Sequence, residues 1–170
     1  MSLPLASLVM EHDQYRSAAP RNAMSVDVEE HFQVAAFEQQ IGRRSWEDHP
    51  SRVADNTHRV LDLFAEHGVK ATFFVLGWVA ERHPALVSRI VGAGHELASH
   101  GYDHTRVICM DHRKFREDVV STKAILEDTG GIRVNGYRAP SYSIGASNLW
   151  ALDVLQETGH IYSSSIYPIR

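Results

Sequence analysis

Five short runs of β-branched, aromatic and small apolar residues alternate with four helical patterns between residues 23 and 170, which predicts an α/β fold on a parallel sheet. Two further observations agree. Polar clusters follow three of the strand-like runs, where parallel α/β folds collect their reactive groups. Hydrophobic residues make up 44% of the 170-residue chain and charged residues 22%, a globular balance that excludes a disordered or fibrous chain. A domain of this length buries about 70% of its unfolded surface. The alternation fits an open doubly wound sheet and an α/β barrel equally.

Each element has a local reason. Ala23 to Val28 (AMSVDV) is a β-branched run bounded by polar residues and reads as the first strand. Residues 29–50, with Gly, Pro and scattered charge, read as a long loop with room for a helical turn. Arg52 to His67 spaces Val53, Val60, Leu61, Phe64 and Ala65 as a helix, with Ser51 as N-cap and Gly68 as its stop. Val69 to Leu76 (VKATFFVL) is a buried strand. Trp78 to Ala93 is a helix interrupted at Pro84, its apolar face built from Leu86, Val87, Ile90 and Val91. His95 to Ala98 is a short strand, with His95 as a structural residue inside it. Asp111 to Thr129 is a helix burying Phe115, Val119, Ile125 and Leu126, and Gly130-Gly131 ends it. Val134 to Arg138 is a weak strand, Ser147 to Thr158 a helix with Leu149, Leu152 and Leu155 on one side, and Ile161 to Ile166 a last strand.

Composition removes several function classes. Seventeen basic and 21 acidic residues give a net charge of -4, without the basic surplus of a nucleic-acid binder. The single Cys109 excludes an internal disulfide and a CxxC zinc site. Residues 1–22 read as a loosely ordered tail with no charged start of a secretory signal. No run reaches the ~20 apolar residues of a membrane span, so the expectation is a cytoplasmic protein. The 11 histidines direct attention to metal and proton chemistry.

Three clusters close the first, third and fourth strands. Asp27-Val28-Glu29-Glu30 places Asp27 and Glu29 two apart, on one face while the chain stays extended. Two such carboxylates repel unless a cation or proton sits between them. His100-Gly101-Tyr102-Asp103-His104 sets two imidazoles four apart, on one face if the segment makes a helical turn. Gly136-Tyr137-Arg138-Ala139-Pro140-Ser141-Tyr142 offers a permanently charged fork suited to a carboxylate, with Pro140 fixing the backbone behind it. Alone each is weak. Brought to one rim, Glu29 (or Glu30), His100 and His104 make a two-His, one-carboxylate metal site open to water. Asp27 then stands beside that water as a base, and Arg138 orients Asp27.

With SVDVEEHFQV, TFFVLGW, GHELASHGYDH and GYRAPSYSI in view, residues 22–170 resemble the NodB-type polysaccharide deacetylases of carbohydrate esterase family 4. The nearest branch is that of exosortase-associated bacterial exopolysaccharide clusters. The resemblance implies a distorted (β/α) barrel, with residues 23–170 as its N-terminal part. It implies removal of N-acetyl groups from a polysaccharide with a divalent metal, usually Zn2+. Asp27 matches the catalytic base, Glu29 in preference to Glu30 the metal-binding acid, His100 and His104 the metal histidines, and Arg138 the arginine holding the base. Ser141 matches the residue whose backbone N–H meets the oxyanion. A polymer site calls for aromatic faces, and Trp46, Trp78, Tyr102 and Tyr142 are the candidates, Tyr102 and Tyr142 foremost as substrate-binding residues.

The chain departs from the family pattern in two places. About five of seven β/α units are expected within it, so it reads as a barrel cut short, and the late histidine motif that supplies the family's general acid has no counterpart. His160 is a poor substitute for that histidine. Relatives place an Asp near Ser163. Two other functions stay open: a non-catalytic remnant that binds glycan, and a small-amide hydrolase on the same scaffold.

Overall fold

The computed structural model describes residues 22–167; the expected tail therefore lies outside the described residues except for Asn22. Five strands form one sheet: β1 (Ser25–Val28), β2 (Thr72–Val75), β3 (Glu96–Ser99), β4 (Gly136–Tyr137) and β5 (Tyr162–Ser163). Their order is β1-β2-β3-β4-β5 and every neighbouring pair is parallel. A doubly wound sheet reverses its strand order at a switch point. Here each crossover adds the next strand on the same side, so the winding is that of a barrel. The sheet also curls. Three strand spacings separate β1 from β4, about 14 Å on a flat sheet, yet the Arg138 side chain just past β4 reaches Ser25 and Asp27 on β1.

Among the described residues the helices are α1 (Val53–Glu66), α2 (Gly77–Arg82), α3 (Pro84–Gly92), α4 (His112–Gly130) and α5 (Trp150–Glu157). Pro84 divides the expected second helix in two and starts α3 at the position where its missing N–H costs nothing. Val53, Thr57, Leu61 and Phe64 form the buried stripe of α1, while the expected Ala65 is exposed. Gly131 closes α4 in the left-handed region at φ 65°, donating its N–H to Glu127. The last helix begins three residues later than expected, and Leu149 is left exposed ahead of it. The last strand is shorter than expected, two residues instead of six.

One core fills the space between the sheet and α1 to α3, with Val28, Phe73, Val75 and Leu97 against Leu61, Phe64, Leu86 and Ile90. A second lies under α4 and α5, around Phe115, Val119, Tyr137, Ala151 and Leu155. Residues 31–50 are more ordered than a loop. They make 3-10 turns at His31–Gln33, Ala35–Phe37 and Arg43–Asp48, anchored by buried Phe32 and Trp46. Among the described residues no helix is long and apolar enough to cross a membrane.

Candidate metal centre

Strand alternation sets the first part of the site. Val26 and Val28 turn toward the helices, while Ser25 and Asp27 turn to the inside of the curl, Asp27 in register with Phe74. Just past the strand, Glu29 follows Asp27 inward and Glu30 goes the other way. Glu30 is buried and takes the N-terminus of α1: it accepts the N–H groups of Arg52 (3.0 Å) and Val53 (3.1 Å) and the Ser51 hydroxyl (2.5 Å). A carboxylate there meets both orphan donors and the positive end of the helix dipole. Ser51 is therefore not the N-cap; it serves the glutamate that caps from 23 residues away. Glu30 is committed to that role, which leaves Glu29 as the acid facing the histidines.

His100 follows β3 and is almost fully buried. Its Nδ1 lies 2.8 Å from the Arg138 carbonyl, an acceptor, so Nδ1 carries the proton and the Nε2 lone pair faces Glu29. Burial holds its pKa below the usual histidine range, against the pull of Asp27 and Glu29, which favours the neutral ligand form. The expected helical turn between the two histidines is absent. Residues 100–104 form a loop with Gly101 at φ 76° and His104 itself at φ 60°. This reversal, not i,i+4 helical stacking, brings the rings to 5.3 Å. At Gly101 a side chain would also crowd Asp118 Oδ2 at 3.2 Å.

The three donors converge. Glu29 Oε2 lies 3.0 Å from His104 Nε2 and 3.7 Å from His100 Nε2, and one atom from each residue falls within 4.8 Å of the others. Glu29 Oε2 is buried and has no hydrogen-bond partner among the described residues. A buried carboxylate oxygen opposite the lone pair of a neutral imidazole is unfavourable unless a cation or proton lies between. One carboxylate and two imidazoles suit a divalent cation.

Asp27 stands at the edge of this trio, its Oδ2 4.0 Å from His100 Nε2. Arg138 Nη1 donates to Asp27 Oδ1 at 2.6 Å. The rest of the guanidinium is fixed by the Ser25 hydroxyl (3.0 Å), the Ser164 hydroxyl (2.9 Å) and the Ser164 carbonyl (3.3 Å), and it lies 4.0 Å above the Phe74 ring. Sequence reasoning missed Ser25, Ser164 and Phe74; only Ser25 carried a signal, two residues before Asp27 on the same face. The Ser163 hydroxyl pairs with that of Ser165 at 2.6 Å.

Ser141 and Tyr142 adopt left-handed backbone, φ 54° and 51°. Two such non-glycine residues in succession cost roughly 1–2 kcal/mol each. Tyr142 N–H bonds the Ala139 carbonyl, while Ser141 N–H has no backbone or side-chain acceptor among the described residues. Asp27, Glu29, both histidines, Ser141 and Tyr142 border one pocket of about 260 Å³. Tyr142 is 39% exposed at its mouth. The other aromatic candidates are not at this pocket. Trp46 and Trp78 are core, with ring centroids 5.7 Å apart and edge to face. Tyr102 packs at Gly77 and Thr122 and gives its hydroxyl to Glu81 (2.7 Å).

Beneath the histidine loop, Asp118 of α4 accepts the Tyr102 N–H at 3.1 Å, and its Oδ2 is buried without a partner among the described residues. Burial pushes this carboxyl up from 3.8 to about 7, with the Asp103 charge adding to the rise. The folded chain thus keeps a proton that the unfolded chain releases near pH 3.8, so stability falls as pH rises from there to about 7 and is level above it. Asp118→Asn keeps the acceptor for Tyr102 and has nothing to ionise. Its stability advantage over wild type is expected to be near zero at pH 4 and roughly 2–4 kcal/mol at pH 8. Urea unfolding at the two pH values measures it, and a gap that does not change with pH contradicts it.

The family model described as polysaccharide deacetylase matches residues 44–162. A peptidoglycan-N-acetylglucosamine deacetylase of Bacillus cereus is 35% identical over 98 residues, covering 57% of this chain and 36% of that protein. A chitooligosaccharide deacetylase of Sinorhizobium fredii is 34% identical over 124 residues, 72% of this chain and 54% of the relative. The chain thus spans between about a third and a half of the length of these curated relatives. Among solved structures, a candidate polysaccharide deacetylase of Mycobacterium smegmatis superposes with a TM-score of 0.71 at 28% identity, over 87% of this chain and 55% of that one. A CE4-family pseudoenzyme of Bacillus anthracis shares the fold alone, at 17% identity and a TM-score of 0.64, over 83% of this chain and 41% of that one.

Proposed function

This chain belongs to the polysaccharide deacetylase family, and from that footing we propose that it carries the metal centre and general base of an N-deacetylase acting on polymeric N-acetylated amino sugars. One observation supports the reading above all: Glu29, His100 and His104 offer three donors within 4.8 Å, with Asp27 beside them in the grip of Arg138. A divalent cation held by the three, zinc by their chemistry, would polarise the acetamide carbonyl and lower the pKa of a water. Asp27 Oδ2, which no arginine among the described residues contacts, receives the proton of the attacking water. Arg138, through Oδ1, keeps that oxygen aimed at the pocket. The Ser141 N–H, without an acceptor among the described residues, donates to the developing oxyanion. Tyr142 offers its exposed ring to a sugar face. The Asp-x-Glu spacing of Asp27 and Glu29 supports the exosortase-associated exopolysaccharide branch.

Acetate release by the zinc-loaded chain from chitooligosaccharide, peptidoglycan and a bacterial exopolysaccharide tests this. Release that EDTA abolishes and zinc restores is the expected result. Zinc binding without turnover of any polymer overturns it in favour of a glycan-binding remnant. Turnover confined to a small acylated amine overturns the polymer assignment.

A further inference from the structure

His104 is held in an unfavourable backbone conformation by a residue remote in sequence. At φ 60° a histidine sits in the left-handed region, which costs about 1–2 kcal/mol without side-chain compensation. Its imidazole does not provide that compensation, since its Nε2 is turned to Glu29. The residues on either side of it provide it instead. Arg43, from the last 3-10 turn of the 31–50 segment, bonds both. Its Nη1 meets Asp103 Oδ2 at 2.5 Å, and its Nη2 donates to the Asp103 carbonyl at 3.2 Å and to the Thr105 hydroxyl at 2.8 Å. Asp103 Oδ1 in turn accepts from the Thr105 hydroxyl (2.6 Å) and N–H (3.3 Å), closing the flanks of His104 into one network. Arg43 is braced, its guanidinium lying 5.3 Å from the centre of the buried Trp46 ring. Arg106–Glu38 ties the same two segments together a second time, at 3.0 Å.

We propose that Arg43 is a positioning residue for the metal centre: it clasps Asp103 and Thr105 so that His104 is preset as a ligand. This rests on the reading of Glu29, His100 and His104 as a cation site. Arg43 touches none of the three and does not reach Asp27. Its planar fork serves two residues at once, which a lysine point charge does not reproduce. A preset ligand binds metal without first having its loop ordered, so the effect falls on affinity. Groups that orient ligands in this way typically change metal affinity by about 10–100-fold. The Arg43 side chain is half exposed, so the low end applies.

The test is zinc affinity of the whole chain, measured by competition with a chromophoric chelator, alongside thermal unfolding of the metal-free protein. Arg43→Ala is expected to weaken zinc binding about 10-fold and Arg43→Lys about threefold. In both variants the unfolding temperature without metal stays close to wild type. Equal zinc affinity in wild type and Arg43→Ala overturns the positioning role while leaving the cation site standing. A large loss of metal-free stability with unchanged affinity overturns it in favour of a purely structural clasp. A wild-type chain that binds no zinc removes the cation site, and the positioning role with it.

Discussion

His104→Gly is expected to abolish tight zinc binding while leaving the fold intact. The substitution removes one of three converging donors, whose Nε2 stands 3.0 Å from Glu29 Oε2. Loss of outer contacts alone costs metal sites about 10–100-fold, so loss of a ligand costs at least ~100-fold. Glycine is chosen because the residue sits at φ 60°, where a Cβ is penalised and glycine is not. The clasp of Arg43 on Asp103 and Thr105 does not use the imidazole and survives. The variant therefore separates ligation from folding more cleanly than a change at His100. That ring is more deeply buried and also satisfies the Arg138 carbonyl. Chelator competition reads the affinity, and circular dichroism melting of the metal-free protein reads the fold. Zinc affinity equal to wild type refutes the ligand set.

What the sequence shows and what it hides divide along a physical line. Periodicity is local, so the alternation of elements, the stop at Gly131 and the break at Pro84 were all legible. Strand order is not local. The same alternation serves a sheet that reverses and one that winds one way, and only the pairing of β1 through β5 decides between them. Residues two apart in an extended segment point to the same side, so Asp27 and Glu29 were legible as a pair. The partner of Glu30 was not. The N-terminus it caps begins 23 residues on, beyond any local capping pattern, and the serine beside that helix was the natural local candidate.

The histidine loop carries a similar lesson. Spacing of four permits a helical turn, but Gly101 between the two histidines was the available signal for a tighter reversal, and its φ of 76° confirms that conformation. Aromatic residues gave no signal at all. Trp46, Trp78, Tyr102 and Tyr142 are of one kind on paper; the first two fill core positions, Tyr102 turns its ring from the histidine loop toward Gly77, and of the four Tyr142 alone reaches the pocket. Nothing in a tyrosine's neighbours in sequence encodes that difference, because it depends on which side of the curled sheet the residue lands.

The largest kinetic effect is expected from Asp27→Asn. Asparagine matches the shape of aspartate, and its Oδ1 can still accept from Arg138 Nη1, so the network to Ser25 and Ser164 stays in place. The atom at the Oδ2 position becomes an NH2 group, whose lone pair is delocalised into the carbonyl and does not accept a proton from water. A positioned base contributes about 10²–10⁴-fold. Acetate release by the zinc-loaded variant is accordingly expected to fall about 10³-fold, equivalent to roughly 4 kcal/mol of transition-state stabilisation. Zinc is retained, because Asp27 is not among the three donors within 4.8 Å of one another. Its Oδ2, 4.0 Å from His100 Nε2, does lend negative charge nearby, so affinity weakens by less than about 10-fold. The loss then lies in kcat, because the amide still occupies the pocket and substrate contacts at Tyr142 are untouched. Loss of zinc together with loss of turnover instead makes Asp27 a fourth ligand, with no base assigned. Unchanged turnover at full zinc occupancy moves the proton transfer to another group altogether.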